Sequence, residues 1–234
     1  TISSNSYSIR ANIESAGNIL YAFSKATGIR KNDDNEYAIL GIPYAQYVKG
    51  EFDFSKNIRI DHRNSFAFHI GMGIAVPYGN AKTIPFEKQY FSGGANSVRG
   101  WTVRDLGPGS FVGNKNTNLL DQSGDIKLDA SIEYRSKLFW KFQGAVFIDA
   151  GNIWTIRSYA NQPGGVFKFD KFYKQIAVAY GLGLRLDLDF FILRFDGGMK
   201  AVNPAFETKK EHFPIIHPKF SRDFAFHFAV GYPF

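Results

Sequence analysis

The side chains with the most chemical potential lie in one glycine-rich stretch and on two segments after it. Phe91, Ser92, Gly93, Gly94, Ala95, Asn96, Ser97, Val98, Arg99, Gly100 and Trp101 run consecutively, and Leu106, Gly107, Pro108 and Gly109 follow closely. An arginine at the centre of such a stretch carries a rigid five-donor fork. If the loop folds into a polar interior, Arg99 needs carboxylates to offset its desolvation. Glu133 and Asp149 are the candidates, because both fall on the polar rows of alternating segments. The alternative is a mobile surface loop with both acids solvated. Catalytic chemistry finds no foothold: there is no Gly-x-Ser-x-Gly elbow, no His-Glu-x-x-His and no phosphate-binding loop. The five histidines, His62, His69, His212, His217 and His227, show no metal-ligand spacing. No catalytic residue, cofactor or metal is expected. An outer-membrane phospholipase would need a Ser–His pair at the lipid boundary, and no serine sits obviously beside either of the inward-facing residues His69 and His227.

Strict period-two alternation defines the elements that must position these residues. In the last segment Phe224, Phe226, Phe228, Val230, Tyr232 and Phe234 oppose Asp223, Ala225, His227, Ala229, Gly231 and Pro233. In 125–135, Ile126, Leu128, Ala130, Ile132 and Tyr134 oppose an almost wholly charged row of Asp125, Lys127, Asp129, Ser131, Glu133 and Arg135. Within 65–77, Phe66, Phe68, Ile70, Met72, Ile74 and Val76 form the apolar row, and in 47–60 Lys49, Glu51, Asp53 and Arg59 form the polar one. Segments at 142–154, 176–188 and 190–201 follow the same rule, with Phe191, Leu193 and Phe195 against Arg194, Asp196, Gly198 and Lys200 in the last of these. A weaker first strand spans roughly 7–20. Eight antiparallel strands result, with connections alternating between long (21–43, 78–124, 155–175, 202–222) and short (61–64, 136–141, 187–189).

A dense aromatic row opposite alanine, glycine and charge fits lipid outside and a polar lumen inside. A soluble barrel or sandwich would hide its large residues and expose its charge. A strand of about 12 residues tilted by about 40° rises roughly 30 Å, enough for the ~25 Å apolar band of an outer membrane. The mean hydropathy of −0.21 is no objection, since alternate residues of a spanning strand are polar, and no run reaches the roughly 18 apolar residues of a spanning helix. Phe139, Trp140, Phe190 and Tyr232 are expected at the membrane boundary on the short-turn side and Trp154 at the opposite boundary. The net charge of +7 is scattered and forms no nucleic-acid footprint, and the absence of cysteine excludes a disulfide framework. A start at Thr1 with neither methionine nor a signal pattern suggests a processed or excised piece.

The stretch ending in Val98, Arg99, Gly100 and Trp101 resembles the Val-Arg-Gly-aromatic loop signature of the BamA/TamA superfamily of outer-membrane assembly and translocation proteins. Phe147, Ile148, Asp149, Ala150 and Gly151 resemble that family's Phe-x-Asp-x-Gly strand motif. The resemblance covers essentially residues 7–234. The opening stretch, with Glu14 to Asn18 and Gly41 to Val48, is similar to the TamA-like lipoprotein branch of Bacteroidetes. It implies that the loop arginine packs against the following strands, so that Arg99 bridges Glu133 and Asp149. It also implies that the row from Phe224 to Phe234, with Tyr232, is a C-terminal sorting strand.

The expectation is therefore an all-β transmembrane antiparallel barrel. Residues 1–234 form the C-terminal eight strands of sixteen within one outer-membrane domain, and the long extracellular loop 78–124 carries the Val-Arg-Gly motif. The function implied is insertion, assembly or translocation of outer-membrane proteins by a non-enzymatic integral outer-membrane protein. The partners implied are outer-membrane lipids and lipopolysaccharide, client outer-membrane proteins, and an N-terminal barrel half with periplasmic POTRA domains or another chain. A passive pore with a charged lumen is the alternative.

Overall fold

The computed structural model describes residues 5–113 and 121–234; residues 114–120 of the expected long loop and 1–4 of the expected domain lie outside the described residues. Among the described residues ten strands are formed: β1 (Ser6–Ala16), β2 (Ala38–Ile39), β3 (Ile42–Pro43), β4 (Tyr47–Arg59), β5 (Asn64–Pro77), β6 (Ile126–Lys137), β7 (Phe142–Trp154), β8 (Ala177–Asp187), β9 (Ile192–Val202) and β10 (Phe224–Val230). Helix α1 (Asn18–Ala26) follows β1, and two single-turn helices, α2 (Lys209–His212) and α3 (Phe220–Asp223), precede β10. Among the described residues no helix is long and apolar enough to cross a membrane.

Eight strands form one antiparallel sheet in the order β1-β4-β5-β6-β7-β8-β9-β10, with β2 and β3 pairing apart as a small hairpin. Every connection in the sheet is to the next strand, so the register is set by hairpins and carries the alternation across, with one register shift between β8 and β9, where Val178 pairs with Val202 and Ala179 with Lys200. Ala67 pairs with Glu133, Glu133 with Phe147 and Phe147 with Gly181. The rows read from sequence thus lie on two opposite faces. Ile70, Met72, Ile74, Ile132, Ile148, Leu182 and Phe226 are exposed on one, while Ala67, His69, Glu133, Phe147, Asp149, Asp196 and His227 are buried on the other. The sheet is open: β1 and β10 do not pair with each other among the described residues.

Six of the eight expected strands begin and end within two residues of the observed ones, and the other two are shorter. β1 stops at Ala16 because Gly17 adopts a left-handed conformation (φ 79°) that starts α1. A Cβ there would stand 2.3 Å from the Ala45 carbonyl oxygen, so the reversal depends on glycine. β10 ends at Val230 and not at Phe234. Gly231 (φ 89°) turns the chain inward. Tyr232 then sits under the Arg135 guanidinium at 4.3 Å, and Phe234 stacks on His69 with ring centroids 5.1 Å apart. Tyr232 and Phe234 therefore leave the outward row, and cation–π attraction to a buried arginine replaces lipid contact.

Trp154 is the other correction. Expected at a membrane boundary, it is fully buried. Segment 164–175 folds over it, Gln175 accepts its indole N–H at 2.8 Å, and Phe167 and Phe172 meet its ring edge-on. Phe139, Trp140 and Phe190 stay exposed at the short-turn ends.

Candidate functional site

The long connection from β5 to β6 does not stay outside the sheet. Paired bonds between Tyr90 and Gly124 (both 2.8 Å) draw its ends together, and Gly94 N–H reaches Trp101 O at 2.8 Å to close the turn containing Arg99. The turn descends onto the concave face. Val98 and Trp101 pack with Leu106, Ala177 and Ala179 into a buried apolar cluster. The Lys200 ammonium stands 5.1 Å over the Trp101 ring. Small side chains are required below: a Cβ on Gly198 would lie 2.0 Å from Arg99 O, and one on Gly100 would lie 2.8 Å from the Ala179 Cβ. Side chains at 98 and 101 hold the turn by apolar burial, while glycines at 100 and 198 let it approach.

Arg99 is 1% exposed and meets three carboxylates with no exposure at all. Its Nε and Nη2 donate to Oδ2 and Oδ1 of Asp149, both at 2.8 Å, a fork-to-fork pair. The Arg99 backbone N–H adds a third bond to Asp149 Oδ2 at 3.0 Å. Nη1 donates to Glu133 Oε2 at 2.5 Å and lies 3.4 Å from Asp196 Oδ2. The Phe147 ring lies 3.5 Å from the guanidinium carbon, closing the face that hydrogen bonds leave open. His227 Nε2 is 2.9 Å from Arg99 O. A carbonyl only accepts, so this nitrogen carries the proton. The loop tip is thereby held by side chains from β6, β7, β9 and β10.

The acids are supported in turn. Ser131 Oγ donates to Asp149 Oδ1 at 2.8 Å, Arg135 Nε to Glu133 Oε1 at 2.7 Å, and Arg185 bridges Glu133 (3.0 Å) and Asp196 (2.5 Å). Arg194 reaches Asp196 at 3.4 Å and donates to Asn96 Oδ1 of the loop at 2.5 Å. Four guanidinium groups surround three carboxylates. Such a cluster is costly to desolvate, and removing one member leaves uncompensated charge. It acts as a lock specific to one loop position more than as a source of net stability.

The geometry explains the strand motif at 147–151 position by position. Phe147 supplies the stacking face and Asp149 the receiving fork, while a Cβ on Gly151 would be 2.5 Å from Leu128 O on the neighbouring strand. Arg99, Glu133 and Asp149, singled out in the sequence, are brought together. Sequence reasoning missed the roles of Asp196, Arg135, Arg185, Arg194 and His227. All five were readable as inward by parity, but which inward residue meets the loop depends on the stagger between strands. Tyr232 and Phe234 lie beyond β10 and touch this cluster only at its edge, through the Arg135 guanidinium, while Phe224, Phe226 and Phe228 lie on β10 with their side chains on the outer row.

Comparison with known proteins follows the same line. The profile of the Omp85 superfamily domain matches residues 26–234. The outer membrane protein assembly factor BamA of Neisseria meningitidis serogroup B (strain ATCC BAA-335 / MC58) is 33% identical over 99 residues, 38% of this chain and 11% of that protein. The crystal structure of BamA from Haemophilus ducreyi lacking POTRA domains 1–3 superposes with a TM-score of 0.55 at 16% identity. The match takes in 97% of this chain and 51% of that one. The chain thus spans about half the length of the solved relative, and the likeness to it is one of fold.

Proposed function

The chain belongs to the Omp85 superfamily, whose members are integral β-barrel proteins of the outer membrane, and from that premise we propose that it works in the insertion, assembly or translocation of outer-membrane proteins. The observation that carries this reading is the loop tip locked into the concave face through Arg99. A solvent pore gains nothing from filling its lumen with a buried ionic cluster. A device that must keep its lumen ordered while its wall opens gains a fixed inner support. No bond-making chemistry is called for.

Eight strands with two unpaired edges cannot rest in lipid, because each exposed backbone group costs several kcal/mol there. We therefore take residues 1–234 as one part of a single barrel domain completed to sixteen strands by further polypeptide, with POTRA domains on the short-turn, periplasmic side. The outward row of Phe226, Phe228 and Val230 faces lipid and lipopolysaccharide. As the outer face of an edge strand, β10 is suited to templating a client strand by main-chain pairing.

A second reading, a passive channel, draws on the uncovered concave side of β1, where Ser6, Ser8, Arg10 and Asn12 remain exposed. The two part on one experiment. Reconstituted into liposomes, the parent protein should accelerate folding of an unfolded client barrel over empty liposomes, and Arg99→Ala should lose most of that acceleration. No acceleration, together with steady ion conductance unchanged by Arg99→Ala, would establish the channel instead.

A further inference from the structure

At the short-turn end of the concave face lies a cavity of about 550 Å³, within the range of sites that hold organic ligands. It is separate from the Arg99 cluster and touches it only through Arg135. Its wall carries four cationic side chains, Arg59, Arg63, Arg135 and Lys137, against two carboxylates, Asp61 and Asp187. Both acids are already engaged. Asp61 Oδ1 closes its turn by accepting the backbone N–H groups of Arg63 (2.7 Å) and Asn64 (2.9 Å), and Asp187 Oδ1 accepts that of Asp189 at 3.1 Å. Among the described residues only Arg135 of the four cations has a carboxylate within 4.0 Å, namely Glu133. Arg135 is 6% exposed, yet its Nη2 is buried without a hydrogen-bond partner. A buried guanidinium nitrogen left unpaired costs free energy that a bound anion would return.

The chemistry of the wall says more about the occupant. Hydroxyls and amides of Ser6, Ser8, Asn57 and Ser65 line the cavity beside the Tyr232 ring, which lies against Arg135. Hydrogen-bonding groups, an aromatic wall and unpaired cations in one space far larger than an inorganic ion suit a polypeptide segment. The cavity opens on the concave face, and the lipid-facing rings of Phe66, Phe68 and Tyr134 project from the other side of the same strands, which disfavours a lipid headgroup.

We propose that this cavity is a receptor for an extended, carboxylate-bearing peptide segment entering from the short-turn side. The inference rests on the assembly reading above and names the kind of client segment received first. Attraction at such a mouth raises the encounter rate and weakens with salt.

The test uses the parent protein purified in detergent and three probes: a short fluorescent peptide alternating glutamate with threonine, its glutamine counterpart, and inorganic phosphate. The acidic peptide should bind about tenfold more tightly than the glutamine form, and the double variant Arg63→Gln with Lys137→Gln should erase that preference. Both substituted side chains lie outside the Arg99 cluster, and unchanged heat-modifiable gel mobility of the variant shows that it has folded. Equal affinity for the two peptides, a preference that survives the double variant, or displacement of the peptide by phosphate at equal concentration each overturns the proposal. Client assembly without charge-selective peptide binding sinks this inference alone. Charge-selective peptide binding without client assembly sinks the assembly reading and leaves the cavity a peptide site.

Discussion

The two halves of the sheet obey the same alternation and end in different states. On β6 to β9 the inward residues Glu133, Asp149, Arg185, Arg194 and Asp196 are buried to within 1%. On β1 the corresponding inward residues, Ser6 to Asn12, remain exposed, and the ion pair between Glu14 and Lys88 leaves both side chains 41% exposed. Strand pairing is as regular between β1 and β4, with eleven consecutive partners, as between β6 and β7, with twelve. What separates them is the loop. Where its tip folds down, water leaves and each charge depends on a particular partner; on β1, which only the start of the loop reaches through Lys88, charge stays hydrated and interchangeable. A barrel wall is thus a neutral support, and its rigidity is set by what fills it.

The sharpest way to break this contrast is to remove the cation at its centre. Arg99→Ala leaves Asp149 without its fork and Glu133 and Asp196 with fewer donors, a loss of about 3–5 kcal/mol for a buried pair. The loop should release from the strands. Amide exchange across 91–109 should then approach that of an exposed loop, while exchange in β1 and β4 stays as in the wild type. Arg99→Lys should recover little, because an ammonium cannot reproduce the bidentate contact with Asp149. Protection in 91–109 that survives Arg99→Ala would show that the apolar cluster of Val98 and Trp101 holds the loop unaided.

A smaller perturbation tests fit without charge. Gly198→Ala puts a Cβ 2.0 Å from Arg99 O and should cost about 1–3 kcal/mol by overpacking. Gly50→Ala on β4, whose nearest neighbour would be Ile74 Cγ2 at 4.0 Å, should be close to neutral. Apparent unfolding temperatures from heat-modifiable mobility compare the pair directly. Equal shifts would mean that the loop tip yields, and the two halves would then differ less in rigidity than their burial suggests.

How much of this was legible beforehand follows from the same contrast. Period-two rows fix which face a side chain occupies, so the strands from 47 to 202 and the inward placement of Glu133 and Asp149 could be read residue by residue. Facing is not touching. Asp196 meets Arg99 although 97 residues separate them, and that contact depends on strand stagger and loop depth, neither of which leaves a local signal. The ends went astray for a related reason. In the last segment Tyr232 and Phe234 continue the even-numbered apolar row, but Gly231 can adopt φ 89°, and a buried guanidinium inside competes with lipid outside for the rings. Trp154 likewise fitted a membrane boundary until segment 164–175, which lacks periodicity, covered it.

The finest distinction lies within the loop-covered half, between charge that has a cationic partner against it and charge that does not. Asp125, just before β6, is buried and accepts the Ile156 backbone N–H at 2.9 Å, yet has no lysine or arginine within 4.0 Å among the described residues. Burial pushes its carboxyl above the usual value, and the Ile156 N–H, Gln89 and the more distant Arg157 offset this only in part. An acid whose folded-state pKa is raised binds its proton more tightly folded than unfolded. Its contribution to stability is therefore full below the unfolded pKa of about 3.9 and is lost as pH rises through the higher folded value. Asp125→Asn keeps an oxygen for Ile156 and removes the charge. It should raise the apparent unfolding temperature at pH 7 by a few degrees, and the gain should shrink to nothing as pH falls below about 4. A gain independent of pH would trace the effect to packing, and destabilisation at pH 7 would show that Arg157 compensates Asp125 as fully as the arginines compensate Glu133 and Asp196.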